Sequence, residues 1–302
     1  MKLSRHLFVV TCIAAVQARA GNWPSVGVDL FHSDSDGDFR PALSLKYNSP
    51  QFAESSHSGS LLPWEMYGSA KGELHATVGG GVAMQQSYAE ANWVAAMDIK
   101  KESSIQEKPV TSPADIMARA SSPKNDGFNF GALEFRGHAR AETDQKFDNA
   151  NLTGGAGLHY DTTMYAESKL VPPRLGVMYE YVQPVESDAR DAAGASDDPY
   201  PRVRAYVLWR QSVSDFTDGP AILLPLALEI HYKYTHELDS PDQWRSAHNN
   251  RADWTSVRLI YRMPKDVREH WLISEAYVGY ATGREMTSLE NDQQVLVGVT
   301  AW

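Results

Sequence analysis

The sequence predicts an all-β protein, an antiparallel up-and-down transmembrane β-barrel of about 12 strands, and three observations carry that expectation. Segments of roughly 10 residues with one apolar and one polar face recur along the chain. No long helical periodicity interrupts them, which argues against alternating helices and strands. A short N-terminal apolar run marks the chain for export, and no cysteine follows it.

The first element is that export segment. Lys2 and Arg5 precede an apolar run, and Ala18-Arg19-Ala20 stands before Gly21, the pattern of a secretory signal peptide with an Ala-x-Ala cleavage site. The run is about half of the roughly 20 apolar residues that a membrane-spanning helix needs. It is also too short before Cys12 for a lipoprotein signal. The expected organisation is therefore a signal peptide over 1–20 and one barrel domain over 21–302. Cleavage removes the only cysteine, so the mature chain is held by backbone pairing and burial rather than by disulfides. It also removes Lys2, Arg5 and Arg19, leaving 25 of the 28 basic residues against 38 acidic ones. An acidic chain lacks the footprint that phosphate backbones require, so nucleic acid is not an expected partner.

The strands follow in order. Segments 25–31 and 40–47 flank a turn-rich stretch at 32–38 and read as a hairpin. Segment 69–84 sets Leu74, Ala76, Val78 and Val82 against Lys71, Glu73, His75 and Thr77, and segment 92–100 sets Trp93, Ala95, Met97 and Ile99 against Asp98 and Lys100. Segment 128–142 places Leu133, Phe135, Ala139 and Ala141 opposite Glu134, Arg136, His138 and Arg140. Segment 152–161 is glycine-rich, with His159 and Asp161 on its polar side. In 174–182, Leu175, Val177, Tyr179 and Tyr181 oppose Arg174 and Glu180; in 202–210, Val203, Ala205, Val207 and Trp209 oppose Arg202, Arg204 and Arg210.

The clearest segment is 226–236, LALEIHYKYTH. Leu226, Leu228, Ile230, Tyr232 and Tyr234 form one face, and Glu229, His231 and Lys233 lie on the other, the period of two that a strand imposes. Segments 254–263, 270–282 and 293–302 complete the set, with Arg258 and Arg262 on the polar face of the first. A chain of this kind averages to a low hydropathy even when one face of every strand meets lipid.

The polar faces would line the interior. Arg136, Arg140, Arg174, Arg202, Arg204, Arg210, Lys233, Arg258 and Arg262 fall there together with Lys46, Lys71 and Lys100, against Asp29, Glu73, Asp98, Glu134, Asp161, Glu180, Glu229 and Glu275. The acidic chain thus has an inferred interior in which cations predominate. Guanidinium groups match carboxylate and phosphate oxygens in pairs, so such a wall lowers the barrier to anionic solutes. The alternative is that the charges pair across neighbouring strands and fill the interior, as in small barrels. Glu229 and His231 join the arginines and Lys233 as the residues expected to line the lumen and contact solute.

Taken together, an export signal, no cysteine after it, alternating segments, aromatic strand ends and the closing run Val295-Leu-Val-Gly-Val-Thr-Ala-Trp302 resemble a Gram-negative outer-membrane β-barrel protein. Arginine-bearing polar faces on about 12 strands resemble in design the monomeric acidic-oligosaccharide porins. The resemblance implies residence in the bacterial outer membrane, contact with membrane lipid and lipopolysaccharide, and delivery by the barrel-assembly machinery through the strand ending at Trp302. It implies a passive channel for small solutes, anionic ones such as acidic sugars included, with no cofactor or metal. Counting back from Trp302 gives Thr300, Gly298 and Leu296, with Val295, Val297 and Val299 on the opposite parity, which departs from the family's terminal signal. With both termini in the periplasm, connections 185–200, 237–251 and 284–291 lie outside and 264–269 inside. Connections 49–68 and 101–125 are long for periplasmic turns, and Ser112 could cap a short helix in the second.

Two other readings stay open. A lipid-modifying hydrolase of the phospholipase or lipid A deacylase type needs a nucleophile and a base within reach; Ser256, His231 and Asp161 or Glu229 are available, but spacing does not join them. His138, His159 and His231 read as hydrogen-bonded or lumen-exposed side chains rather than metal ligands. The run Asp34-Ser-Asp-Gly-Asp38 resembles half of a calcium loop but lacks its closing acid, Leu45 falling there, so it reads as a hairpin tip. The acidic outer connections motivate a third reading, a barrel that displays loops for adhesion or surface assembly.

Overall fold

The computed structural model describes residues 25–33, 39–49, 51–57, 64–77, 87–100, 129–144, 148–161, 173–215, 225–264, 273–286 and 291–301. The expected signal peptide, the 34–38 turn, connection 101–125 with its expected helix, and Trp302 lie outside the described residues.

Thirteen strands form one antiparallel sheet: β1 (Ser25–Ser33), β2 (Phe39–Asn48), β3 (Phe52–His57), β4 (Trp64–Thr77), β5 (Ser87–Lys100), β6 (Asn129–Thr143), β7 (Asn149–Asp161), β8 (Arg174–Ser187), β9 (Tyr200–Ser212), β10 (Leu226–Glu237), β11 (Arg251–Arg262), β12 (Ile273–Gly283) and β13 (Asp292–Ala301). Two pairings close the sheet on itself. β1 pairs with β13, and β2 pairs with β4, so twelve strands make a ring in which β1 begins and β13 ends at one rim. Closure removes the open edges that an exposed sheet would present. A short helix α1 (Asp188–Ala192) follows β8 and another, α2 (Asp242–Ser246), follows β10, both at the opposite rim, called here the far rim.

The thirteenth strand accounts for the length of 49–68. β2 pairs with β4 as far as Asn48 and Lys71, and β3 then takes up the same edge of β4 from Phe52 and Gly68 to His57 and Trp64. β2 and β3 are thus one long arm of a hairpin with β4, bent at Ala53, whose φ is 55°. β1 begins at Ser25 opposite Lys46, so the hairpin runs past the end of β1 at the rim where β1 begins and β13 ends. Gly68 permits the bend, because a Cβ there would sit 2.3 Å from the Phe52 ring. The connection is long because it is strand, and β4 begins at Trp64 rather than at 69. β5 likewise begins at Ser87 rather than at 92.

Where the side chains are described, the ring strands keep one face outward. Trp93, Phe135, Leu158, Val177, Tyr179, Tyr181, Val185, Val278 and Val297 are between 45% and 62% exposed around the circumference. On β8 the alternation is complete, with Met178, Glu180 and Val182 turned in and no more than 3% exposed. The charges are inside and the apolar side chains outside, the inverse of a soluble fold and the arrangement that hydrocarbon solvent imposes. β10 follows the same rule, with Tyr232 exposed and Glu229, His231 and Lys233 facing the interior.

Candidate functional site

The ring encloses a cavity of about 490 Å³. Nine cationic side chains line it (Lys46, Lys71, Arg136, Arg140, Arg174, Arg202, Arg204, Lys233 and Arg258), against six carboxylates (Glu73, Glu90, Glu134, Glu142, Glu229 and Glu285). Twelve strands lie between the size at which side chains fill a barrel and the size at which an aqueous channel is unavoidable. How these charges are paired therefore decides how much of the interior is free.

The wall made by β4 to β9 is cross-linked. Arg202 on β9, 2% exposed, donates from both terminal nitrogens to Glu142 on β6 at 2.6 and 3.0 Å, and from Nε to Glu180 on β8 at 2.5 Å. Glu180, fully buried, also lies 2.7 Å from Arg204 Nη2 and 3.0 Å from His138 Nε2. Glu142 also lies 3.2 Å from Arg140 Nε as an ion pair and accepts from Asn151 Nδ2 at 3.2 Å. Glu90 on β5 stands between Lys71 at 3.1 Å and Arg140 at 3.4 Å. Arg140 also covers the Tyr88 ring, 4.1 Å from its centroid. Buried carboxylates are tolerated here because each lies within ion-pair distance of more than one cation.

The glycine-rich β7 makes room for this network. Gly155 and Gly157 share the inward parity of His159, and Cβ atoms there would lie 2.4 Å from the Tyr179 carbonyl and 2.1 Å from the Val177 carbonyl. A side chain at Gly155 would also meet Glu180 Cγ at 3.0 Å. Between the glycines and β9, His159 Nδ1 is 2.6 Å from the Tyr206 hydroxyl.

Among the described residues the opposite wall is less densely paired. On β10, Lys233 Nζ is 2.9 Å from Glu285 Oε1 and lies over the Trp254 ring, 4.6 Å from its centroid. Trp254 packs with Ala281 and Leu296 into a small apolar cluster inside the ring. Arg258 stands opposite Glu229 in the β10–β11 register, but Glu229 is engaged by Arg210 at 3.7 Å. Among the described residues Arg258 makes no ion pair. Its plane lies 5.1 Å from the Tyr277 ring centroid, and its Nε, although buried, has no hydrogen-bond partner.

Nine of the eleven residues expected on the lumen wall meet at the cavity: Arg136, Arg140, Arg174, Arg202, Arg204, Glu229, His231, Lys233 and Arg258. Arg210 and Arg262 do not line it. Arg210, near the end of β9, is tied to Glu275 at 2.5 Å, and Arg262, the last residue of β11, is exposed. Three acids were missed. Glu90 fell before the expected start of β5, although it has the inward parity of Asn92; Glu142 sat at the end of its expected strand. Glu285 lies past the end of β12, where alternation gives no direction.

Ser256 and His231, which spacing could not join, are direct cross-strand neighbours. Both face the interior, where His231 meets the Trp254 ring edge-on with centroids 5.4 Å apart. No hydrogen bond links serine to histidine among the described residues, and neither reaches the outer surface on which lipid would lie. His138 and His159 are engaged with Glu180 and Tyr206, and the described residues hold no group of three or more potential metal ligands.

A closed antiparallel ring with an apolar exterior, a charged interior and a cavity along its wall defines a transmembrane β-barrel of the outer-membrane type. No family model matches the chain, and no curated protein does. Similar solved structures are outer-membrane porins. They include the KdgM porin (10% identity, 92% of this chain and 98% of that chain covered, TM-score 0.37) and the NanC porin (11%, 92% and 99%, TM-score 0.41). The outer membrane channel DcaP of Acinetobacter baumannii is a third (12%, 92% and 95%, TM-score 0.38). The functional reading rests on the inner wall itself.

Proposed function

We propose that the protein is an outer-membrane channel for passive passage of small solutes, with a preference for anions such as sugar acids. The observation that carries this reading is the cationic excess of the cavity, and within it Arg258. Most cavity cations are neutralised by a neighbouring carboxylate and serve the wall. Among the described residues Arg258 combines a charge without an ion pair and a buried N–H without an acceptor, so a passing carboxylate gains there an interaction that those residues do not already supply. The cross-linked β4 to β9 wall acts as the rigid side of the path, and solute moves along the β10 and β11 side.

Liposome swelling tests this. Vesicles carrying the protein are expected to admit a monosaccharide acid faster than the neutral sugar of the same size, and Arg258→Gln is expected to remove the difference while leaving neutral-sugar entry intact. Equal rates in the wild type would overturn the anion preference, and no swelling with any solute would overturn the channel.

A further inference from the structure

At the end of β12 the chain reverses and enters the barrel. Gly283 has φ 117°, a conformation in which a Cβ would lie 2.0 Å from the Asp253 carbonyl oxygen, and the Arg284 N–H donates to that same oxygen at 2.7 Å. The Arg284 guanidinium is fixed outside, donating from Nε to the Arg251 carbonyl at 3.1 Å and from Nη2 to the His248 carbonyl. With the base of the turn pinned, the next two residues point inward. Glu285 and Met286 are 7% and 8% exposed and line the cavity. The Glu285 carboxylate ends 2.9 Å from Lys233 Nζ, above the Trp254 ring.

We infer that Glu285 is the residue that sets charge selectivity and bore at the far mouth of the cavity, by holding the turn against Lys233. This rests on the channel reading. A cation on the wall attracts anions into a narrow low-dielectric path, and a carboxylate brought within 3 Å of it cancels that field. The pair is the point where a residue from outside the strand pattern overrides the charge of a stave. Without Glu285, Lys233 would join Arg258 as an uncompensated cation, and Met286 would lose the anchor that keeps it inside.

Planar-bilayer recording with a thiol-labelling arm tests the assignment. Glu285→Gln is expected to raise the anion-to-cation permeability ratio roughly threefold and to increase unit conductance. The exchange Lys233→Glu with Glu285→Lys, which restores the pair with reversed polarity, is expected to return both to wild-type values. Asp239→Asn, which removes an exposed acid at the far rim, is expected to change neither; an equal effect there would overturn the proposal. The second arm does not need conductance. In a Cys12→Ser background, Met286→Cys is expected to react slowly with a charged methanethiosulfonate, and at least about tenfold faster once Glu285→Gln is added. If the wild type conducts and Glu285→Gln alters neither conductance nor labelling, the assignment fails and the channel stands. If nothing conducts, the channel reading fails, and the labelling rates still decide whether Glu285 holds the turn.

Discussion

Arg190 in α1 donates to both carboxylate oxygens of Glu237 at the end of β10, at 3.0 and 3.1 Å, from between the rings of Tyr200 and Trp244. The Trp244 indole N–H completes the carboxylate at 3.0 Å, and Arg190 Nε donates to the Ser196 carbonyl at 2.9 Å. Tyr200, Trp244, Arg190 and Glu237 are all 6% exposed or less. One buried ion pair therefore ties the β8–β9 connection to the β10–β11 connection and fixes α1 and α2 on the far rim. Removing one partner of such a pair costs about 3–5 kcal/mol. A loop that can open separately caps the global loss. Arg190→Ala is thus expected to leave the barrel folded while exposing 188–199 and 238–250 to protease, read by limited digestion of the reconstituted protein.

Inside the barrel no such escape exists. Arg202 holds Glu142 and Glu180 together, so Arg202→Met leaves two buried carboxylates short of donors. It is expected to lower unfolding free energy by about 3–5 kcal/mol in urea titrations in lipid vesicles, with Arg202→Lys in between because an ammonium cannot make the same bidentate contact.

Arg204 and Arg258 make a contrasting pair. Arg204→Glu would set a carboxylate beside Glu180 and is expected to destabilise the wall. Arg258→Glu breaks no ion pair among the described residues and is expected to lower anion over cation permeability roughly three- to tenfold with little loss of stability, the effect shrinking as salt rises. Similar selectivity changes in both variants would count against the division into a structural and a solute-facing wall.

The loop chemistry responds to pH. Asp197 beside Asp191, with a smaller contribution from burial, raises the Asp191 carboxyl above its ordinary value. A carboxyl whose pKa is raised in the folded loop weakens the loop where it is ionised, so the loop is expected to tighten as pH falls through that raised value. Protease cleavage within 188–199 should slow on mild acidification, and Asp191→Asn should slow it already at neutral pH.

Much of this was legible in the sequence because a strand repeats every two residues. Lys71, Arg136, Arg174, Arg202, Lys233 and Arg258 could each be assigned to the interior from the apolar residues flanking them, and the register then brought them to one cavity. What alternation cannot give is pairing across several strands. Arg202 and Glu142 lie three strands apart in the ring, and their bond depends on the space that Gly155 and Gly157 leave. It also cannot follow a chain that leaves the sheet, which is why Glu285 and the Arg190 knot were out of reach. The β3 extension was hidden by the bend at Ala53, which broke the parity between two parts of one hairpin arm.

A channel whose uncompensated wall charge is positive must favour chloride over potassium. The reversal potential of the purified protein in a planar bilayer under a potassium chloride gradient tests it most directly. The expected result is steady single-channel conductance with a reversal potential displaced toward the chloride equilibrium potential. A cation-selective reversal potential, or a folded protein that passes no current, would contradict it.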